Sequence, residues 1–450
     1  MNYPEAERYL NSLINYEKLD SYDYWASFRL DRIRELSRLL GDPHKNIRSI
    51  HIAGTKGKGS TAAITYSILK SAGFKVGLYT SPHLISVRER IRINDELISE
   101  ADACRLLERI KKITDGLSGD EMPSFFEVCT ALAYLYFDEK GADLAVYETG
   151  LGGRLDATNI IEPLVCAITP ISYEHTDKLG KTLTSIAGEK AGIIKDGSIC
   201  VSAPQEKEAL DAIEGACKAK KARLILVGRD ITFEEVESNT DGALFSVHGL
   251  YRDYHLMRLR LLGSHQVVNA ATAIGIVEAL RLNGIRVGPN AIKAGIKSAQ
   301  WSGRMEIALR DPFLVLDGAQ NKASAAVASQ AVRKVFDYRN LILVLGVSKD
   351  KDVRGIVEEF LPIADSVILT RSNVAERALE PSSIREVIGD VKAGAFEEGK
   401  NMTLTSSVDE AVRLALEKAR PDDMVLVTGS LFVVGEAKSF MEKKREKASF

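Results

Sequence analysis

The run Gly54-Thr55-Lys56-Gly57-Lys58-Gly59-Ser60 packs three glycines, two lysines and two hydroxyls into one short stretch. Glycine lets backbone N–H groups turn toward an anion at close range, and a lysine ammonium adds full positive charge. The chemistry suggested is phosphate binding. The run is not a strict Walker A loop, in which four residues separate the glycines and Ser or Thr directly follows Lys; here Ser60 comes one residue late. Four further groups fit the same chemistry: Ser81, Glu148, His175 and Lys190. Hydroxyl, carboxylate and phosphate oxygens are the hard ligands that Mg²⁺ takes, and a neutral imidazole can join them. Taken singly, each has a structural use. Ser81 would cap a turn before Pro82, Glu148 would pair with Arg154, His175 would be a satisfied histidine and Lys190 a solvated helix charge.

What argues for their acting together is where the chain must put them. Ile47, Ile50 and Ile52 mark a short buried strand before the glycine run. Residues 62–70 carry apolar side chains at helical spacing up to Gly73, and Val76-Gly77-Leu78-Tyr79 reads as the next strand. Strand, loop, helix and strand make a βαβ unit, hence parallel strands. Thr80-Ser81-Pro82-His83-Leu84 follows one strand. Glu148 ends the strand Leu144-Ala145-Val146-Tyr147. His175 lies beyond the strand 164–169, and Lys190 sits on a helix around 183–191. Open α/β sheets bring the carboxyl ends of parallel strands to one edge, where ligands bind, so these groups should gather beside residues 54–60.

Elsewhere, residues 1–46 read as amphipathic helix, with Leu30, Ile33, Leu36, Leu39 and Leu40 on one face and a stop at Gly41-Asp42-Pro43. Residues 124–138 read as a buried helix. Gly150, Gly152 and Gly153 offer a second close-approach loop, with Asp156 and Asn159 able to orient a substrate. Residues 231–262 suggest an antiparallel hairpin or meander, and a helix should run from about 264 to 283. After a boundary near 295–303, strands near 313–317, 341–346, 366–370 and 424–428 alternate with helices, the length of one Rossmann-like domain. In that half Arg304 is a candidate phosphate clamp, and Asp317, at a strand end, a candidate ribose acceptor.

The 450 residues, 45% hydrophobic and 27% charged with a net charge of −2, are those of a globular protein of two or three domains. Neither nucleic-acid nor membrane attraction is expected from that charge. No signal peptide or bilayer-spanning run is read. The five cysteines are scattered without a C-x-x-C pair, so reduced core thiols in a cytoplasmic protein are expected.

The ordered motifs, over nearly the whole chain, resemble the folylpolyglutamate synthases and dihydrofolate synthases of the Mur ligase superfamily. They are His51 through Ser60, Thr80 through Leu84, Phe125-Phe126-Glu127, Glu148 through Asn159, Glu189-Lys190-Ala191-Gly192-Ile193, Gly263-Ser264-His265-Gln266 with Asn269, Gly303-Arg304, Asp317-Gly318-Ala319-Gln320-Asn321, and Val427-Thr428-Gly429-Ser430. The resemblance implies an α/β fold. A P-loop-type parallel-sheet ATPase domain like the Mur ligase central domain would span 1–297, with a smaller Rossmann-like glutamate ligase domain over 298–450. It implies an ATP-dependent ligase adding L-glutamate to dihydropteroate or to a (tetrahydro)folate γ-carboxylate through an acyl phosphate.

By the same resemblance, Thr55, Lys56, Gly57, Lys58, Gly59, Ser60, Asn269, Arg304 and Asp317 contact ATP. Ser81 and Glu148 take a first Mg²⁺ and His175 a second, with a monovalent cation as a further candidate. Lys58, His175 and Lys190, the last as a carbamylated lysine, are catalytic. Ser124, Phe125, Phe126, Glu127, Leu155, Asp156 and Ala157 form the pterin site. A cytoplasmic monomer is expected, with small-molecule substrates and neither nucleic acid nor membrane as partner. Two positions depart from common family patterns. Glu174 stands where Asp often precedes the metal histidine, and Gln320 where His is common, which leaves the glutamate-binding role given to that His open. Lys56 stands where many members have Asn, although Lys also occurs there within the family. Two other readings remain at this point: another Mur-type amide ligase, or a nucleotide-binding regulatory protein without ligase chemistry.

Overall fold

The structure is a computed structural model that describes residues 1–448 except 20, 21, 375, 393 and 395. An eight-stranded sheet is built from β1 (Arg48–Ala53), β2 (Val76–Tyr79), β3 (Ile91–Ile93), β4 (Glu96–Leu97), β5 (Leu144–Glu148), β6 (Val165–Ile168), β7 (Ile199–Ser202) and β8 (Arg223–Leu226). Their order is β4-β3-β2-β5-β1-β6-β7-β8. The six strands from β2 to β8 in that order are parallel, and β3 and β4 add an antiparallel edge. The parallel strands are almost wholly buried, as continuous apolar runs covered by helices on both faces must be.

The strand order positions the site. β1 lies between β5 and β6, so the loop after β1 is flanked by the chain leaving Glu148 and the chain leaving Ile168. One face of the sheet is closed by the helices Lys58–Ser71 and Ser264–Ala279, and the other by Phe125–Glu139 with the N-terminal helices. β9 (Thr232–Asn239), β10 (Gly242–His248) and β11 (Asp253–Leu259) form the antiparallel meander expected from the sequence. A second sheet holds β12 (Glu306–Arg310), β13 (Phe313–Leu316), β14 (Leu341–Leu345), β15 (Ser366–Leu369), β16 (Met402–Leu404) and β17 (Met424–Thr428) in the order β12-β13-β17-β14-β15-β16. All its pairings are parallel except β12 with β13. The mixed α/β class, with a P-loop-type parallel sheet and a smaller Rossmann-like sheet, is the expected one.

Two readings of the N-terminal stretch are corrected. It is not one helix. Tyr3–Ser12 and Leu30–Leu39 are helices, and among the described residues between them Tyr24–Ser27 is the one helical turn. Leu39 faces solvent at 44% exposure, while Ile33, Leu36 and Leu40 are buried. The irregular stretch is tied down by polar contacts. Arg90, 1% exposed, grips both carboxylate oxygens of Glu17 at 2.8 and 2.5 Å, and Arg377 from the second sheet's side donates to the Glu17 carbonyl. Arg32 donates to Glu127 at 3.1 Å. Tyr16, Tyr22 and Phe28 cluster between these anchors. All five cysteines are buried free thiols. Among the described residues no helix is long and apolar enough to cross a membrane.

Candidate active site

The glycine run leaves β1 through positive φ at Gly54 (+147°) and Gly57 (+82°). A Cβ on Gly54 would stand 1.9 Å from Thr169 Oγ1, and one on Gly57 2.2 Å from Asn269 Oδ1. The backbone is therefore held close to its neighbours, with Thr55 and Lys56 N–H both donating to the Pro170 carbonyl. Gly57 is the N-cap of the helix Lys58–Ser71, and no side chain caps that end. First-turn amides thus face the loop without a side-chain acceptor, the arrangement that receives an anion. Gly57→Ala is expected to raise the dissociation constant of an ATP analogue about tenfold or more, by strain and by displacing Asn269; equilibrium titration measures it.

Two lysines meet at one carbonyl. Lys58 Nζ donates to Gly54 O at 3.1 Å and Lys190 Nζ at 2.8 Å. Lys190, on the helix Leu183–Ala191, is buried rather than solvated. Burial above all, then the charge of Lys58, pulls its pKa down to about 7.

Glu148 ends β5 and Ser81 follows β2. The Ser81 N–H donates to Glu148 Oε2 at 3.2 Å. Glu148 does not pair with Arg154, which instead binds Glu189 at 2.9 Å. The Glu148 carboxylate is 4% exposed and, among the described residues, in no salt bridge. Burial lifts its pKa to about 7 against the pull of Lys58 and of the Ser81 N–H. A buried acid with hydroxyl and carboxylate oxygen but no fixed cation suits a hard divalent ion. Among the described residues no three His, Cys, Asp or Glu side chains converge into a ready-made metal cage, so phosphate and water oxygens would have to complete the shell.

His175 adopts φ +51° at the start of a one-turn helix. Burial lowers its pKa to about 4, against Glu174 and with help from Lys351, Lys178 and Lys190, so it is neutral at pH 7. His175 and Glu148 line the same cavity of about 260 Å³, yet different charges surround them. Ser81, Thr55, Lys58, Arg304 and Gln320 border that cavity as well.

The expected pterin-site residues divide. Ser124, Phe126, Glu127, Leu155, Asp156 and Ala157 border the cavity; Phe125 turns into the core, with Arg90 over its ring. Glu127 closes a capping box with Ser124. Asp156 accepts from Gly150 and Leu151 N–H through one oxygen and from Thr158 through the other, which fixes the 150–158 loop. Asp317 similarly accepts from Met305 and Ala319 N–H, both at 2.9 Å, shaping the turn that carries Arg304. Arg304 also borders a second cavity of about 620 Å³ beside Trp301 and Arg260. Asn269 sits against Gly57 and donates to Gln266.

Several cavity residues escaped the sequence reading: Tyr16, Tyr22, Phe28, Arg32, Lys351 and Arg377. Arg32 sits on the helix Leu30–Leu39, whose apolar period marks only its buried face, and the others come from irregular chain, Lys351 after β14 and Arg377 after β15, where no period marks them. Lys56 and the departure Glu174 prove to be partners, 2.9 Å apart. Burial draws the Glu174 pKa up, but Lys56, with His175 and Lys58, outweighs it and holds the carboxyl at about 2.

The chain is similar over nearly its whole length to proteins of one family. Residues 52–277 match the Mur ligase middle domain, and residues 303–431 the Mur ligase glutamate ligase domain. The chain is 33% identical to the dihydrofolate synthase/folylpolyglutamate synthase of Bacillus subtilis, over 90% of this chain and 93% of that protein. It is 37% identical to a probable bifunctional folylpolyglutamate synthase/dihydropteroate synthase of Halobacterium salinarum, over 98% of this chain; it spans about half, 52%, of that relative's length. The structure of E. coli FolC in complex with DHPP and ADP superposes with a TM-score of 0.84 at 28% identity, covering 99% of both chains. The chain belongs to the Mur ligase family, among its folylpolyglutamate synthases and dihydrofolate synthases.

Proposed function

We propose that this chain is an ATP-dependent ligase that joins L-glutamate to a pterin-bearing carboxylic acid, either dihydropteroate or the γ-carboxylate of a folate. A carboxylate is a poor electrophile until one of its oxygens becomes part of a good leaving group. Transfer of the ATP γ-phosphoryl group to that oxygen gives an acyl phosphate and ADP. The glutamate amine then attacks the acyl carbon, the C–N bond forms, and phosphate departs with the acyl oxygen. The observation that carries the reading is one cavity bordered by the phosphate loop, the Ser81–Glu148 pair, Phe126 and Asp156 from the first sheet, and Arg304 and Gln320 from the second.

In this reading the loop amides and Lys58 hold the triphosphate, and Arg304 meets it from the other side. Asn269 and the turn shaped by Asp317 border the nucleoside. Phe126 supplies an aromatic face for the pterin beside the polar 150–158 loop. Ser81 and Glu148 would hold a first Mg²⁺, and neutral His175 a second, with a monovalent cation as a further proposed ion. When bound, Mg²⁺ offsets charge on the phosphoryl oxygens. Lys190 is proposed to act as its carbamate. The E. coli protein bound to DHPP and ADP supports the pterin acid and nucleotide as ligands. The buried free thiols support a reducing, cytoplasmic setting, and a monomer is part of the proposal. The division at 1–297 and 298–450 is part of the proposal and is supported by the separate sheets.

Because the Glu148 pKa stands at about 7, protons and Mg²⁺ compete for it. Falling pH protonates the carboxyl, so the Mg²⁺ needed for half-maximal nucleotide binding is expected to rise roughly tenfold per unit below pH 7 and to level off above it. Glu148→Gln should flatten that dependence. Mg²⁺ titrations at pH 6 and pH 8 with a fluorescent ATP analogue measure it. The function itself is tested by mass spectrometry of the products formed from ATP and glutamate with dihydropteroate and tetrahydrofolate offered separately. A glutamylated product with either acceptor is expected; none with both overturns the reading.

A further inference from the structure

Glu174 precedes the cavity histidine, and its carboxylate lies where the two sheets meet. One oxygen, Oε1, accepts from Lys56 Nζ at 2.9 Å and from Asn321 Nδ2 at 2.7 Å. Lys56 belongs to the phosphate loop after β1. Asn321 belongs to the chain after β13, where it caps the helix Lys322–Val335 by accepting from Ser324 N at 2.9 Å. Gln320, its neighbour, borders the central cavity. A single carboxylate oxygen therefore links the phosphate loop to the second sheet's contribution to the site. The pair is mostly withdrawn from water, with Lys56 30% and Glu174 16% exposed, so removing one partner leaves the other poorly solvated.

Lys56 has a rival acceptor. Its ammonium belongs to the loop that leads into the uncapped first-turn amides of the helix Lys58–Ser71, where an anion is received, and a triphosphate carries more negative charge than one carboxylate. Drawn toward phosphate, Lys56 would leave Glu174 with Asn321 as its side-chain donor. We propose that Glu174 is a positioning residue that couples occupancy of the phosphate loop to the seating of residues 317–322, with Lys56 exchanged between the carboxylate and the nucleotide. The nucleotide half of this coupling rests on the ligase reading, whereas the Lys56–Glu174–Asn321 link does not. Lys56 and Glu174 thereby act as one unit that reports to the glutamate side of the cavity whether ATP is in place.

Hydrogen–deuterium exchange on the full chain tests this, read at the amides of residues 318–326. Without nucleotide, Lys56→Asn and Glu174→Gln should each speed exchange there about fivefold, and the double variant no further, because both break one link. Amides of β14 and β17 should stay slow in every variant, marking a folded sheet. Addition of β,γ-methylene-ATP with Mg²⁺ should shift exchange in this segment about threefold or more in the wild type and leave it unchanged in Lys56→Asn. In turnover, Glu174→Gln should raise KM for glutamate roughly fivefold while KM for ATP stays within about twofold. Single-variant rates within twofold of wild type, or additive effects of the two substitutions, overturn the link. A nucleotide-free effect without any response to the ATP analogue overturns the exchange of Lys56 alone. Absence of turnover with the exchange pattern intact overturns the ligase reading and leaves the link standing. Should Glu174→Gln unfold β14 and β17, Lys56→Asn decides by itself.

Discussion

Lys190→Ala is expected to lower kcat about 10³-fold while ATP-analogue affinity changes only a few-fold. The side chain is buried and donates to the Gly54 carbonyl at 2.8 Å, on which Lys58 also converges. Two ammonium groups on one carbonyl repel each other. That repulsion, added to burial, brings Lys190 to a pKa of about 7. Near neutrality a large share of the amine is uncharged and able to add CO₂: the nitrogen lone pair forms a bond to carbon, a proton leaves to solvent, and an anionic carbamate results. Its charge then attracts Lys58 where the ammonium repelled it. Activity of the wild type should rise with bicarbonate. The effect should steepen below pH 7, because protonation removes the nucleophilic amine. In the alanine variant a short-chain carboxylic acid should restore part of kcat by occupying the vacated space. Steady-state kinetics with and without bicarbonate, and with added propionate, measure each arm.

Lys58→Ala should cost about 10³-fold in kcat/KM for ATP, with analogue binding weakened about tenfold. Lys58 opens the helix whose uncapped amides face the loop, and its ammonium is already held inside the loop by Gly54 O. Charge spreads over the γ-phosphoryl oxygens as the phosphorus–oxygen bond to ADP breaks, and Lys58 is the loop's cation nearest that end in the proposed reading. Loss of more rate than affinity would mark a group that matters most in the transition state. A protein that only binds nucleotide would show the affinity change with no reaction rate to lose. Titration of the analogue beside initial-rate measurements distinguishes the two.

What the sequence made legible was local. The apolar strand before Gly54, the glycine run and the helix after it announce a βαβ unit by spacing alone. The alternation after residue 303 announces the second sheet in the same way. The buried helix read over 124–138 is present as Phe125–Glu139. The short antiparallel additions were not legible. β3 and β4 have three and two residues, too few for a period to declare itself, and β12 pairs antiparallel with β13 through an irregular register. The N-terminal stretch misled because Leu39 fits the helical spacing yet faces water: a period marks a stripe of apolar residues, and only the neighbouring helices decide how wide a stripe is covered.

At the candidate site, residue types signalled phosphate and metal chemistry, and parallel topology brought their strand ends to one edge. The contacts that tune those residues come from far along the chain. Glu174 finds Lys56 across 118 positions and Asn321 across 147, and no motif spans such distances. Phe125 and Phe126 show the limit of a motif from the other direction. They are adjacent on one helix, yet one fills the core and the other borders the cavity.

The central claim is that the cavity makes a carboxylate reactive by moving a phosphoryl group onto it. Dihydropteroate or a tetrahydrofolate labelled with oxygen-18 in the reacting carboxylate, incubated with ATP, Mg²⁺ and glutamate, tests that directly when the released phosphate is analysed by mass spectrometry. Each turnover should place one labelled oxygen in phosphate and leave one in the new amide. A glutamylated product accompanied by unlabelled phosphate would contradict the account.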